Sequence, residues 1–153
     1  MSIQSHILSA ALAFIVAAAA VPANAQDDDT LTIFTRDDLK AALTANNATY
    51  EDAPGGESLN VSFGNGLKAN AGGMACEEEG FEKNCLATSI LATFSKPSNA
   101  DSEDVAQAIN EYNYRENFGR AYLDPDGSIS VRMYIISDGG VSRLNYERHI
   151  GLW

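Results

Sequence analysis

Few side chains in this sequence could do chemistry. After position 25 there is one histidine, His149, and there are two cysteines, Cys76 and Cys85. A single histidine cannot build a His-rich metal site, and a metal here would need carboxylates alone. Nothing in the spacing pairs His149 with a serine or cysteine nucleophile, so it reads as a surface or packing residue. Asp124-x-Asp126-Gly127 invites a calcium reading, but an EF-hand loop needs glycine at its sixth position and glutamate at its twelfth. Counting from Asp124, those positions hold Ile129 and Ile135, and a Pro-Asp-Gly turn accounts for the motif. The residues therefore predict no catalytic group, no metal and no cofactor.

Two constellations remain. Asn110, Asn113 and Asn117 recur at three- and four-residue steps, which places them on one helix face. Arg120 follows the break at Gly119 and can fold back towards the helix end, with Arg115 about 100° away from Asn113 per residue step. Asn110, Asn113, Asn117 and Arg120 are thus a candidate recognition patch. The competing reading has the same side chains satisfying backbone groups where the helix ends and a strand begins, and this is the stronger of the two because buried polar networks generally specify a fold. The second constellation is the cysteine pair. Its spacing is not Cys-x-x-Cys, and Glu77–Glu79 would raise a thiol pKa rather than lower it, so redox or metal chemistry is disfavoured.

The compartment decides the cysteines. Ile7–Ala20 is an apolar run followed by Val-Pro-Ala-Asn-Ala, and Ala23-Asn24-Ala25 is a small-x-small cleavage site. Residues 1–25 therefore read as a secretory signal peptide and 26–153 as a single domain. The run is shorter than the roughly 20 apolar residues of a comfortable span. The segment before it has no Lys or Arg, which leaves an uncleaved anchor as the alternative. An exported chain with an even, close cysteine pair predicts a Cys76–Cys85 disulfide across a polar loop. All charged residues lie after position 25, so the exported part carries the whole net charge of −11. Such a surface repels phosphate backbones and anionic headgroups, which disfavours nucleic acid and membrane as partners.

The elements that position these residues follow from periodicity. Thr35, with Asp38 three residues on, is a capping-box-like helix start; Leu39, Ala42 and Leu43 make its buried stripe, Phe34 can staple onto its first turn, and Asn46-Asn47 end it. Ser58–Phe63 alternates, with Leu59, Val61 and Phe63 on one face, and reads as a half-buried strand flanked by glycine turns. It is expected at a sheet edge, the alternative being that Leu67–Asn70 or Leu86–Ser95 pairs with it on each side and leaves no free edge. Leu86–Ser95 carries apolar residues on both faces, which predicts a central strand covered on both sides. Ser102 is expected to cap a second helix with Val105, Ile109 and Tyr112 on its buried face, making Tyr112 a core anchor. Arg120–Leu123, the turn Asp124–Gly127 and a strand Ile129–Ile136 follow. Ser142–Trp153 reads as a last helix, with Leu144, Ile150 and Leu152 apolar. Helices around antiparallel hairpins predict an α+β two-layer domain.

The stretch Ile109–Gly127 carries one further indication. Its order Ile-Asn-Glu-Tyr-Asn, then Phe-Gly-Arg-Ala-Tyr-Leu-Asp, then Asp-Gly, followed by Gly139-Gly140-Val141, resembles the YbjN family. Members often carry Trp where Tyr112 stands, and the substitution keeps an aromatic. The resemblance covers Ser89–Trp153 well and the earlier elements by order. It implies a fold similar to the type III secretion chaperones, and a protein-binding or sensory-regulatory role in which dimers are common. It brings no catalytic residue. The expected function is thus a non-enzymatic, exported (periplasmic or secreted) protein-binding module with an unidentified protein partner, homodimerisation being open to it. Export sets it apart from cytoplasmic relatives and argues against transcriptional regulation. A small-ligand-binding protein or a hydrolase is the alternative.

Overall fold

The computed structural model describes residues 29–77 and 83–153. The predicted signal peptide lies outside the described residues. In chain order the elements are β1 (Thr30–Leu31), α1 (Arg36–Ala45), β2 (Thr49–Asp52), β3 (Leu59–Ser62), β4 (Lys68–Met74), β5 (Ala87–Phe94), α2 (Ser102–Arg115), β6 (Arg120–Leu123), β7 (Ile129–Ile136), β8 (Val141–Ser142) and α3 (Arg143–Leu152). Strands β2 to β7 form a six-stranded sheet in the order β2-β3-β4-β5-β7-β6, antiparallel throughout, while β1 and β8 make a separate two-stranded ribbon. The predicted α+β, two-layer antiparallel architecture is the one found. Among the described residues no helix is long and apolar enough to cross a membrane.

Local chemistry explains where the helices begin. Thr35 and Asp38 form a reciprocal capping box: the Asp38 amide donates to the Thr35 hydroxyl, and the Asp38 carboxylate accepts from the Thr35 amide. Burial pushes the Asp38 carboxyl up, but hydrogen bonds from Thr35 and Arg143 outweigh it and hold the pKa below the ordinary value. The second helix is capped one residue earlier than Ser102. Asp101 is the cap, accepting from the Glu103 and Asp104 amides, while Asp104 reaches back to the Asp101 amide. Aspartate accepts as well as serine there, and the pair Asp101/Asp104 completes a box that Ser102 could not. The helix ends at Arg115, so Asn117 lies beyond it and does not share a helix face with Asn110 and Asn113.

The core lies between one face of the sheet and the helices. Leu39, Ala42 and Leu43 of α1 and Tyr146 and Ile150 of α3 pack on Leu59, Val61, Ala71, Ile90, Met133 and Ile135 of the strands. At its centre the Tyr146 ring stacks on Phe34, with centroids 4.2 Å apart. Its hydroxyl shares a buried hydrogen bond of 2.9 Å with Thr88 of β5. Burial pushes the Tyr146 phenol far above its ordinary pKa, so it remains neutral. On α3 the buried residues are Tyr146 and Ile150, while Leu144 and Leu152 are exposed.

Tyr112 is half-buried and outside that core. Helix α2 packs against β6 at the end of the sheet, where the Tyr112 hydroxyl, Val131 and Trp153 crowd Gly119 so closely that a Cβ there would lie 2.6 Å from the Tyr112 oxygen. On α2 only Val105 is fully buried, since a helix beside an edge strand has sheet on one flank alone. The expected anchor is a satellite contact, and the anchoring aromatic is Tyr146.

Strand β5 is central, between β4 and β7, as predicted. It is not covered on both sides: Thr88, Ile90 and Ala92 are buried on the helix face, while Leu91 on the other face is half-buried. The disulfide joins Cys76 to Cys85, and Cys85 is itself tied to Phe34 by two backbone hydrogen bonds of 2.7 and 3.1 Å.

Candidate binding surface

Ladder register sorts the strand side chains between the covered face and the opposite face. Thr49, Glu51, Asn60, Ser62, Lys68, Asn70, Ser89, Leu91, Thr93, Ser130, Arg132, Tyr134, Arg120 and Tyr122 share the opposite one. Its side chains are mostly hydroxyls and amides, as expected of an antiparallel sheet with one solvated face. Towards β2 the face dips into an open hollow of about 640 Å³, whose walls include Glu51, Asn60, Lys68, Asn70, Leu91 and Thr93.

The two sheet edges are treated differently. At the β6 edge, Asn113 of α2 occupies the place of a further strand. Its amide nitrogen donates to the Ala121 carbonyl at 3.0 Å, and its amide oxygen accepts from the Ala121 N–H at 2.8 Å. One carboxamide thus supplies the donor and the acceptor that a neighbouring backbone would. Removing it with Asn113→Ala is expected to cost about 1 kcal/mol. It should also promote concentration-dependent association through the uncovered Ala121 groups. Sedimentation velocity and a urea midpoint test this, and no change in either would show that the bond pair contributes nothing.

At the other edge, among the described residues, β2 pairs with β3 alone. Ala53 donates to Ser58 on the β3 side, and Phe63 donates to Leu67 on the β4 side. Alternation along an antiparallel ladder then points the backbone groups of Tyr50 and Asp52 away from β3, into the open. Every residue of β2 is exposed. The strand predicted at the edge, Ser58–Phe63, is internal instead: β2 flanks it on one side and β4 on the other. Thr49–Asp52 is too short and polar to show an alternating pattern, and it takes the edge position. Asp52 also receives the Arg36 guanidinium at 2.5 Å, which fastens the far end of β2 to α1.

The predicted recognition patch is dispersed. Asn113 is engaged on the β6 edge, Asn110 and Asn117 are exposed, and register puts Arg120 on the uncovered sheet face beside Arg132. Arg115 pairs with Glu111 on α2. His149 is half-buried, its ring 6.3 Å from that of Phe118. Among the described residues no three His, Cys, Asp or Glu side chains are grouped as a metal site would need.

Comparison with known proteins bears on the fold. No curated protein sequence matches the chain. A solved structure, "Crystal structure of YbjN, a putative transcription regulator from E. coli", aligns with a TM-score of 0.55 at 12% identity, over 80% of this chain and 91% of that one. At that identity the likeness is one of fold. Residues 35–153 match the YbjN family model, described as "Putative bacterial sensory transduction regulator". That match runs from the cap of α1 through the last helix, and the chain belongs to the YbjN family.

Proposed function

We propose that this chain is an exported, non-enzymatic protein-binding module of the cell envelope, chaperone-like in its action. It takes an extended segment of a partner protein, or of a second copy of itself, along β2. The observation that carries this reading is the asymmetry of the edges: at the β6 edge, beside α2, Asn113 pairs both outward backbone groups of Ala121, while among the described residues no strand pairs the Tyr50 and Asp52 backbone groups at the β2 edge. An added strand would gain main-chain hydrogen bonds there, and the adjoining hollow would receive its side chains. The apolar run before Ala23-Asn24-Ala25 and the disulfide support export. The family's regulatory description agrees with a role without turnover.

The test uses proline at two neighbouring positions. Asp52→Pro removes an amide that faces the open edge, whereas Glu51→Pro removes one that bonds to β3. Peptides selected from a displayed random library against the wild-type protein should lose binding to Asp52→Pro, with its circular dichroism and melting curve close to wild type. Loss of the Arg36 pair should cost little, because Asp52 is solvent-exposed and water screens the pair. Glu51→Pro should loosen β2 itself. Selected peptides that bind Asp52→Pro as well as wild type would remove β2 from the reading.

A further inference from the structure

The uncovered face holds a second feature at its β6–β7 end, four strands away from the open edge. Register sets Arg120 directly across from Arg132, both on this face. Side chains so placed have Cβ atoms about 4.5–5.5 Å apart, and like charges there repel. The chain carries 21 acidic residues, yet among the described residues neither guanidinium is ion-paired. Asp124, whose charge reaches Arg132, accepts from the hydroxyls of Ser128 and Ser130 through its Oδ2.

Arg132 is held in place by aromatic neighbours. Its Nη1 donates to the Tyr134 hydroxyl at 2.9 Å, and its guanidinium carbon lies 5.7 Å from the Tyr134 ring centre and 6.0 Å from that of Tyr122. Its Nε is buried, with no acceptor among the described residues. Leu91 is its partner across the ladder on the β5 side, half-buried on the same face. Among the strand side chains of this face, Lys68, Arg120 and Arg132 are cations and Glu51 alone is an anion. With Asp124 at the hairpin end counted as well, the Arg120–Arg132 end keeps one net positive charge on a protein of net charge −11.

We propose that Arg120 and Arg132, with Tyr122, Tyr134 and Leu91, bind an organic carboxylate. The two guanidiniums take the oxygens, and the tyrosine and leucine surfaces take the apolar body. The planar guanidinium fork matches a carboxylate. A carbon body gains from covering Leu91 and the rings. A small phosphate dianion would have no such body, and the field of the whole protein would oppose its second charge.

The test is an NMR titration of the purified protein, following the arginine Nε–H and tyrosine ring signals, with ionic strength matched by chloride. Phenylacetate, acetate and inorganic phosphate are the probes. Phenylacetate should saturate and shift the Arg132 and Tyr134 signals, with acetate weaker on the same signals. Arg120 is exposed, so Arg120→Gln should keep the wild-type amide spectrum while weakening phenylacetate about tenfold or more. Shifts that never saturate would overturn the proposal. So would phosphate saturating where phenylacetate does not, or unchanged affinity in Arg120→Gln.

Discussion

Tyr146→Ala is expected to destabilise the protein by about 3–5 kcal/mol, the range for truncating a buried aromatic. Total stabilities are about 5–15 kcal/mol, so the variant should be largely unfolded or close to it at moderate temperature. The ring is 0% exposed, stacked on Phe34, and joins α3 to the centre of the sheet. Its removal takes away packing on both sides and leaves the Thr88 hydroxyl buried without its partner. Tyr146→Phe separates the two losses: it keeps the stack and should cost about 1–3 kcal/mol through the orphaned Thr88 group. Urea midpoints of the three proteins measure both. If Tyr146→Ala melts with the wild type, α3 does not anchor the fold. Tyr112→Ala should cost less than Tyr146→Ala, because Tyr112 remains partly in solvent and outside the core.

Reduction of the Cys76–Cys85 bond should lower stability by about 2–3 kcal/mol in the chain-entropy account for a ring this short. The bond pins one end of the loop to Cys85, which is 0% exposed and hydrogen-bonded to Phe34 through both backbone groups. Phe34 stacks on Tyr146, so loosening at Cys85 is felt at the same aromatic pair. The expected result is a lower urea midpoint in dithiothreitol than in air, with most secondary structure kept below the transition. Intact-mass measurement of the protein isolated without reductant should read two hydrogens lighter than the reduced form. Two alkylatable thiols there, or equal midpoints with and without reductant, would count against a structural role.

The two expected effects meet at one place, and the sequence pointed to half of it. Phe34 was legible as an apolar residue at the start of the first helix, and the cysteine spacing as a disulfide. That Tyr146 stacks on Phe34 was not, because 112 positions separate them. The terminal helix also shows no clean apolar stripe: Leu144 and Leu152 look as apolar as Ile150, yet both stand in solvent.

Local rules were sufficient wherever a contact closes within a few residues. The Thr35–Asp38 box, the Asn46 stop, the Asp124–Gly127 turn and the strand Ile129–Ile136 could all be read from the chain alone. The Arg120–Arg132 juxtaposition was within reach too, since a hairpin turn of known position fixes which residues face each other. Strand order was out of reach. Alternation says that Leu59 and Val61 bury one face, and it says nothing about which strands lie to either side. Only the assembled sheet put the short, polar Thr49–Asp52 outside them and turned an expected edge into an interior strand. Asn113 shows the same division. Its type allowed either recognition or the capping of backbone groups, and the packing of α2 along β6 brought its amide to Ala121. The sequence by itself determined the cap and stripe of the first helix, the Asp124–Gly127 turn and the disulfide, because each is set by neighbours along the chain. It placed the second helix's cap one residue late and misjudged the stripes of the second and third helices. The tertiary structure decided which aromatic anchors the core, which edge stays open and which arginines meet, because those depend on residues far apart in the chain coming together.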